Sequence, residues 1–303
     1  MRLVHPLRRL LRRQQWEFVS SRRVLAAAVL LLAAAPAQAQ AQAQGAIISH
    51  TEQPSRLIRK TIVHQATAGV RLLAGDIVES GARPVQIEWA NGVRLALGPA
   101  SSVLVNDAGG APAASLLRGW SKFATAPAGG RLAFDAGLLS LQAAGASGIV
   151  RLAADRTELF VESGAVPVVD TGPGARAATT VGTNQYAARP AARPLEVAPR
   201  APRLFIEQLP RAFLDPLVAV AARAPAASPS AQRDIATDDI LAWRDASPAV
   251  RKRLAGQFAV RLADAHFRNQ AEDVLATMPE WRDALRRQRA AKVRATVPLN
   301  HLF

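Results

Sequence analysis

Residues that could carry out catalysis or hold a metal ion are few in this chain and stand far apart. The histidines are His5, His50, His64, His266 and His301. No two of them have the spacing of metal ligands and no HExxH pattern occurs, so the sequence predicts no zinc centre. It also lacks a G-x-S-x-G elbow, an S-x-x-K and K-T-G pair and a phosphate-binding glycine loop. We therefore expect no cofactor, and the absence of cysteine excludes disulfides and a thiol nucleophile.

One carboxylate lies in a motif that could do chemistry. The sequence VVDTG at residues 168–172 contains Asp170 and is similar to the aspartic-protease signature, in which two carboxylates share a proton. The next residue is Pro173, where that family usually has alanine or serine, and no second D-T-G or D-S-G follows. A strand that ends in an Asx turn explains the motif equally well, and on that interpretation Asp170→Asn should keep the fold. An aspartic hydrolase that uses Asp170 is the enzymatic alternative to a non-enzymatic protein.

The elements that position these residues are dominated by a predicted β-hairpin within residues 70–107. Apolar residues alternate with polar ones on both sides of the pair Asn91-Gly92; they are Val85, Ile87, Trp89, Val93, Leu95 and Leu97. Such alternation predicts two strands joined by a turn at Asn91 and Gly92, both of which should tolerate positive φ. The opposite face carries Glu88 and Arg94, so the apolar face is expected to cover a core.

Further short apolar segments follow, separated by glycine-rich breaks, and predict an all-β roll or sandwich. Gly75, Gly119 and Gly164 recur at nearly equal intervals beside apolar residues, which would suit repeated strand units. From Thr237 the apolar period becomes helical, with an N-cap and first-turn proline at 247–248. The predicted fold class is therefore mainly β, followed by a small α-helical C-terminal region.

The predicted domain organisation has five parts. Residues 1–39 form a signal peptide, and residues 45–68 form a lead-in with one strand or helical turn. The β domain covers 69–187. A Pro/Ala-rich, poorly packed connector with a short amphipathic segment covers 188–233. The α-helical region covers 234–296.

The N-terminal segment has the pattern of a secretory signal peptide. Basic residues precede the apolar run VLAAAVLLLAAA, and Ala37-Gln38-Ala39 is the first acceptable cleavage site. The run is shorter than the roughly 20 apolar residues needed to cross a bilayer, so an uncleaved anchor is the less favoured alternative. We therefore expect the mature chain to be periplasmic, with no stable membrane span.

Charge and aromatic residues limit the partners. The formal net charge of +15 includes the arginine-rich residues 1–23, and the rest is spread without a concentrated basic patch. Nucleic-acid binding needs clustered basic residues interleaved with aromatics, so we expect no nucleic-acid partner. Trp120, flanked by Arg118 and Lys122, is the exposed-aromatic candidate for a binding surface. Core packing is the alternative interpretation of its ring.

The β segment also resembles a known family. LLAGDIVESG, an apolar strand, the Asn-Gly turn and VRLALGPASS resemble the start of the FecR-type periplasmic domain. LLRGWSKF at 116–123 and LFVESGAV at 159–166 resemble its later strands, and the likeness covers about residues 69–187. The resemblance implies a β fold and a role like that of inner-membrane regulators that signal from an outer-membrane transporter to a cytoplasmic sigma factor.

The chain departs from the plan of those regulators, because few residues precede the apolar run and the run itself has a cleavable pattern. We therefore expect the periplasmic β module without the transmembrane role. The predicted function is a binding, sensing or scaffold module that engages an envelope protein or polymer. A cell-wall glycan-binding module is the alternative.

Overall fold

The structure, a computed structural model, describes residues 45–173 and 178–296, without the side chains of residues 292–296. Within these residues the chain is mostly β with a small helical C-terminal region, which confirms the predicted fold class. The strands are β1 (Ile47–Thr51), β2 (Ser55–Arg59), β3 (Ile62–Ala66), β4 (Ile77–Glu79), β5 (Val85–Glu88), β6 (Arg94–Leu97), β7 (Ser102–Asp107), β8 (Ala113–Ala124), β9 (Arg131–Ala136), β10 (Leu139–Ala144), β11 (Ser147–Ala153), β12 (Arg156–Ser163), β13 (Ala165–Asp170), β14 (Thr179–Gly182), β15 (Tyr186–Pro190), β16 (Glu196–Ala198) and β17 (Ser230–Asp234). The helices are α1 (Arg203–Glu207), α2 (Thr237–Leu241), α3 (Pro248–Phe258), α4 (Ala265–Val274) and α5 (Pro279–Thr296).

The strands form two layers that share β8. The front sheet has the order β1-β5-β6-β8-β11-β12-β15-β16. The back sheet has the order β17-β3-β2-β4-β7-β8-β9-β10-β13-β14. Only the β8–β9 pairing among these is parallel. Inward-facing apolar side chains of both layers form one continuous buried core, which is the arrangement of a β-sandwich.

Gly119 lets β8 pass from one layer to the other. Before it, Leu116 pairs with β7 of the back sheet; after it, Lys122 pairs with β6 of the front sheet. Gly119 has a φ of 82°, and a Cβ atom there would collide with Ser101. A residue with a side chain would be strained at this corner both by its backbone conformation and by the lack of space.

The predicted hairpin is present, but its turn differs from the one expected. β5 and β6 pair from Val85 with Leu97 to Glu88 with Arg94. Gly92 has a φ of 82°, whereas Asn91 is not among the residues with positive φ. The amide of Gly92 donates to the Trp89 carbonyl at 3.0 Å, which makes a three-residue loop with glycine at its last position. Such loops need positive φ only at that last residue.

The helices cover the outer face of the back sheet. Ile58, Ile77, Leu104 and Leu117 of that sheet form one buried cluster with apolar residues from α2 to α5. The predicted start of α3 is confirmed, because the Ser247 hydroxyl accepts a hydrogen bond from the Val250 amide at 3.3 Å with Pro248 in the first turn. These helices therefore pack on the back sheet mainly through an apolar cluster, and Trp243 also donates a hydrogen bond to Glu79.

Residues 199–221, which we call the strap, cover the outer face of the front sheet. Phe205 and Phe213 are its fully buried anchors. Within the predicted connector, β15 and β16 are paired strands and Phe205 and Phe213 anchor the strap on the sheet, while most of the other residues are exposed. After the strap, β17 pairs with β3 at the edge of the back sheet.

The lead-in is also more regular than expected, since it contains the three strands β1, β2 and β3. β1 pairs with β5 of the hairpin, and β2 pairs with both β3 and β4. The predicted signal peptide lies outside the described residues. Among the residues that are described, no helix has the length and apolar character to cross a membrane.

Candidate functional site

Two of the three predicted binding-surface residues lie together beneath the strap, and the third lies elsewhere. Trp120 and Lys122 are on the outer face of the front sheet. Arg118 precedes the corner at Gly119 and belongs to the back sheet, where its Nε donates to Ser102 Oγ at 3.3 Å. The corner in β8 thus separates residues that are close in sequence.

Lys122 is a buried cation that holds the strap. Its side chain is 3 % exposed, and Nζ lies 2.8 Å from Glu162 Oε1. The same ammonium group donates to the carbonyl oxygens of Phe213 at 2.7 Å and Asp215 at 3.0 Å. All three ammonium protons are therefore used, one on a carboxylate and two on the backbone of the strap.

Neighbouring polar side chains of the hairpin bind the strap in the same manner. Arg94 Nη1 donates to the Leu217 carbonyl at 2.8 Å. Glu88, although it is buried, accepts hydrogen bonds at Oε1 from the amides of Val220 at 2.8 Å and Ala221 at 3.2 Å. The outward face of the hairpin thus recognises main-chain groups of the strap.

An aromatic pocket accepts the other end of the strap. The Phe205 ring centroid lies 5.2 Å from that of Trp120, 5.3 Å from Tyr186 and 6.4 Å from Phe160. The guanidinium of Arg151 lies 4.9 Å from the centroid of the Trp120 ring, and its Nη1 donates a hydrogen bond to the Gln208 side chain. The face of an aromatic ring attracts a cation in this position. Tilted and edge-on ring contacts of this kind add to the energy of burial.

Beneath this pocket is a buried acid. Glu158 Oε1 accepts a hydrogen bond from the Tyr186 hydroxyl at 2.6 Å, and Glu158 Oε2 lies 3.3 Å from Arg151 Nη1. Burial raises the pKa of Tyr186, and its hydrogen bond to Glu158 and the charge of that carboxylate raise it further. The phenol therefore stays protonated and acts as a donor at neutral pH.

The strap is attached to the sheet through side chains rather than through strand pairing. The amides of Phe205 and Phe213, and of Arg223 just after the strap, donate to carbonyl oxygens three positions before them, and neighbouring strap residues donate to carbonyls three or four positions before them. In the part of the chain that the structure describes, the next main-chain bond to the β module is from Ala227 to Gly69 at 3.2 Å. The strap is thus bound as a ligand segment would be.

An open cavity of about 370 Å³ lies where the strap crosses the hairpin and β8. Its lining includes polar groups of the sheet and apolar residues of the strap, among them Arg94, Lys122, Glu162, Leu214 and Leu217. The cavity is therefore part of the surface that holds the strap.

Asp170 is a turn residue and one half of a buried ion pair. The Gly172 amide donates to its Oδ1 at 2.9 Å, which confirms the predicted Asx turn. Arg189 Nε lies 2.6 Å from Oδ2, and the two side chains are 3 % and 7 % exposed. The Leu195 amide also donates to Oδ2 at 3.3 Å. With both oxygens occupied and a cation in contact, this carboxylate does not have the surroundings of an acid that shares a proton with a second carboxylate.

The other buried acids are also engaged in holding the fold. Glu79 lies 2.9 Å from an Arg56 nitrogen and accepts a hydrogen bond from Trp243 Nε1 at 2.9 Å. Asp239 accepts from Arg56 and Arg233 and from the Ala236 amide. No group of three or more potential metal ligands occurs among the described residues.

Sequence reasoning missed the strap. The segment RLFIEQLPRAFL was recognised only as a short amphipathic piece, although its two phenylalanines prove to be the anchors. The spacing of those rings is a usable signal, but the surface that receives them is assembled from distant strands. The predicted aromatic candidate Trp120 does line that surface.

The chain matches no family model and no curated protein. It is similar to two crystal structures of a protein from Parabacteroides distasonis ATCC 8503 that is provisionally described as an anti-sigma factor. The sequence identities are 12 % and 11 %, and the TM-scores are 0.36 and 0.35. Each match covers 41 % of this chain and 59 % of the solved chain, so this chain spans less than two thirds of those structures. At TM-scores this low the similarity does not define a function.

Proposed function

We propose that this chain is a non-enzymatic, FecR-like periplasmic protein that binds a protein partner in the bacterial envelope and serves as a sensing or scaffold module. The observation that carries the proposal is the outer face of the front sheet. There Lys122, Arg94 and Glu88 bind carbonyl and amide groups of the strap, and an aromatic pocket accepts the Phe205 side chain. These are the elements by which protein surfaces recognise polypeptides.

The buried acids support a binding role over catalysis. Asp170, Glu79 and Asp239 each have a cation and a hydrogen-bond donor as partners, so their charges stabilise the fold. The polar side chains on the face that holds the strap bind main-chain groups. This binding role accounts for them without a catalytic arrangement. A glycan-binding role for Trp120 is less favoured, because Phe205 packs against the ring that a sugar would need.

The test is capture of the partner under native conditions. The tagged mature protein would be cross-linked in its own cell envelope and purified, with an unrelated tagged periplasmic protein as the control. We expect a specific polypeptide in near-stoichiometric amount. In parallel, binding to purified cell-wall glycan would be measured. Retention on glycan without a protein partner would overturn the proposal in favour of the glycan-binding alternative.

A further inference from the structure

The two outer faces of the sandwich are covered in chemically different ways. The back sheet meets its helices mainly through apolar residues, with Ile58, Ile77, Leu104 and Leu117 at 0 % exposure. The front sheet presents charged and polar side chains to the strap; they are Gln86, Glu88, Arg94, Lys122 and Arg151. Glu162 and Glu158 lie behind them and pair with Lys122 and Arg151. The back interface also contains side-chain contacts from Trp243 to Glu79 and from Arg56 to Asp239, whereas on the front face the side chains of the sheet bind the main chain of its cover.

Energetics support this distinction. Charged groups such as Lys122 and Glu88 lose hydration when they are buried, and well-packed apolar residues often stabilise a permanently covered site as well or better. Here those charges are fully bonded only through the carbonyls and amides of the strap. The same charges would be hydrated by water when the strap is displaced from the sheet. The face thus has the properties of a surface that is alternately covered and exposed.

The strap can also leave without disturbing either sheet. Its N-terminal end follows β16, which pairs with β15, and its C-terminal end leads to β17, which pairs with β3. Between these anchors its main-chain hydrogen bonds are local. Segments that lack strand pairing with the rest of the fold open at lower free energy than the core. Release would therefore lengthen one surface loop and break no strand pairing.

We propose that the outer face of the front sheet is a docking site for a segment of a partner protein that, like the strap, makes its main-chain hydrogen bonds in local turns, and that the strap occupies the site as an internal substitute until the partner displaces it. The partner segment carries two aromatic side chains spaced as Phe205 and Phe213 are, one for the pocket at Trp120 and one for the site beside Gly98 that Phe213 occupies. Most polar groups of the sheet bind main chain, and Arg151 binds the side chain of Gln208 at 2.6 Å, so the segment is recognised mainly through its backbone and its two aromatic side chains. This inference rests on the proposed protein-binding function and identifies its surface.

The experiment supplies the strap in trans. The variant Phe205→Ala/Phe213→Ala weakens the internal strap, and circular dichroism with a cooperative thermal melt establishes that it is folded. A fluorescent peptide of residues 199–221 is then titrated against it and followed by anisotropy. We expect saturable binding to the variant, with binding to the wild type about tenfold or more weaker because its own strap competes. The same peptide with both phenylalanines replaced by alanine should lose about tenfold or more in affinity, as expected when buried aromatic anchors are removed.

A second version tests the inference even if the double variant fails to fold. Specific-protease sites at the exposed positions Arg200 and Ala226 allow the wild-type strap to be cut out after folding. We expect the excised strap to exchange with labelled peptide on dilution. A strap that never exchanges, or a folded double variant that binds no peptide, would overturn the docking site. Strap exchange between two copies, seen as a dimer in gel filtration, would also overturn it by making the second copy the occupant.

The outcomes separate this inference from the proposed function. Binding of the peptide in trans without an envelope protein partner would keep the docking surface and refute the envelope role. An envelope partner that binds the double variant and the wild type equally, while the peptide does not bind, would keep the function and refute this surface.

Discussion

Arg189 Nε lies 2.6 Å from Asp170 Oδ2, and the two side chains form an ion pair from which solvent is almost excluded. The guanidinium also donates to the carbonyl oxygens of Pro190 and Arg193. The pair therefore ties the end of β13 to the segment that follows β15. Removal of either side chain would leave the charge of the other one buried without its partner.

Replacement of Asp170 by asparagine should destabilise the protein strongly. An Asx turn alone would tolerate the change, but the ion pair leaves Arg189 buried without its counter-charge. Loss of one partner of a buried pair costs about 3–5 kcal/mol. Urea unfolding would measure it. Asp155→Asn, which removes an exposed partner of Arg156, is the matched control and should leave the midpoint unchanged. Equal midpoints for the two variants would show that the ion pair does not stabilise the fold, and acid-dependent peptide hydrolysis lost in Asp170→Asn would revive the hydrolase.

Asp239 should contribute to the dependence of the free energy of unfolding on pH in the acid range. Burial alone would raise its pKa, but hydrogen bonds from Arg233, the Ala236 amide and Arg56 lower it to about 2. A carboxyl whose folded pKa is depressed stabilises the protein above its unfolded pKa near 3.8, and this stabilisation is lost as the pH falls towards 2. The shift corresponds to about 2 kcal/mol. Asp239→Asn should therefore flatten the stability profile between about pH 4 and pH 2.

The matched control for Asp239 is its neighbour in the same helical turn. Asp238 is exposed, and its replacement by asparagine should keep the wild-type profile. Chemical unfolding measured at intervals across this pH range would compare the three proteins. Parallel profiles for wild type and Asp239→Asn would contradict the role assigned to the carboxylate.

Replacement of Gly92 by valine should destabilise the hairpin. The φ of 82° places this position in the left-handed region, and an added Cβ would approach that of Ala126 to 3.0 Å. Non-glycine residues pay about 1–2 kcal/mol there, and a β-branched residue is among the worst accommodated. Thermal melts would show the loss. Valine at Gly81, where an added Cβ meets nothing within 4 Å, is the control. An unchanged melting temperature in Gly92→Val would contradict the observed turn.

Tyr186 should remain a phenol at alkaline pH. The chain contains one tyrosine, so the rise in ultraviolet absorbance that accompanies tyrosinate formation reports this residue alone. Burial and the bond to Glu158 raise its pKa above the usual value of 10.0, so the stabilisation is present below that value and is lost as the pH rises beyond it. The folded protein should show no tyrosinate until well past the pH at which the urea-unfolded protein titrates. Coincident titrations would contradict the buried hydrogen bond.

The periplasmic proposal predicts a processed N-terminus. Mass spectrometry of the exported protein should find a new terminus between Gln40 and Gln44. Leu31→Arg, which places a charge within the apolar run, should block export and leave the precursor intact. An intact Met1 terminus in the membrane fraction of wild-type cells would instead favour an anchored regulator.

The features that the sequence predicted are those fixed by neighbouring residues. The hairpin around Gly92 and the start of α3 at Ser247 depend on local turn and cap chemistry, so alternation and spacing were sufficient. The Asx turn at Asp170 was foreseen for the same reason. The two-layer arrangement followed from many short apolar segments, although which strands would pair did not.

The features that it did not predict depend on distant partners. Phe205 is an anchor only because Trp120 and Tyr186 lie on adjoining parts of the front sheet, and no local pattern contains that information. From the sequence alone, Lys122 has the pattern of a surface cation. In the structure a carboxylate and two carbonyl groups from other elements surround it. The proline- and alanine-rich composition of 188–233 predicts a connector, but it does not reveal the two phenylalanines that anchor the strap on the sheet.

The pairing of β17 with β3 has a consequence for how the chain must fold. The strand β17 is synthesised long after β3, with which it pairs. Arg56 in β2 likewise binds Asp239, which lies far along the chain. Such distant contacts slow folding and prolong the time in which strand edges are open. A fragment that ends after β16 would leave the edge at Ile62 and Val63 unpaired, and open edges promote aggregation. We therefore expect β17 to pair with β3 late in folding. This pairing would cover the edge of the back sheet, so that other chains could no longer pair with it.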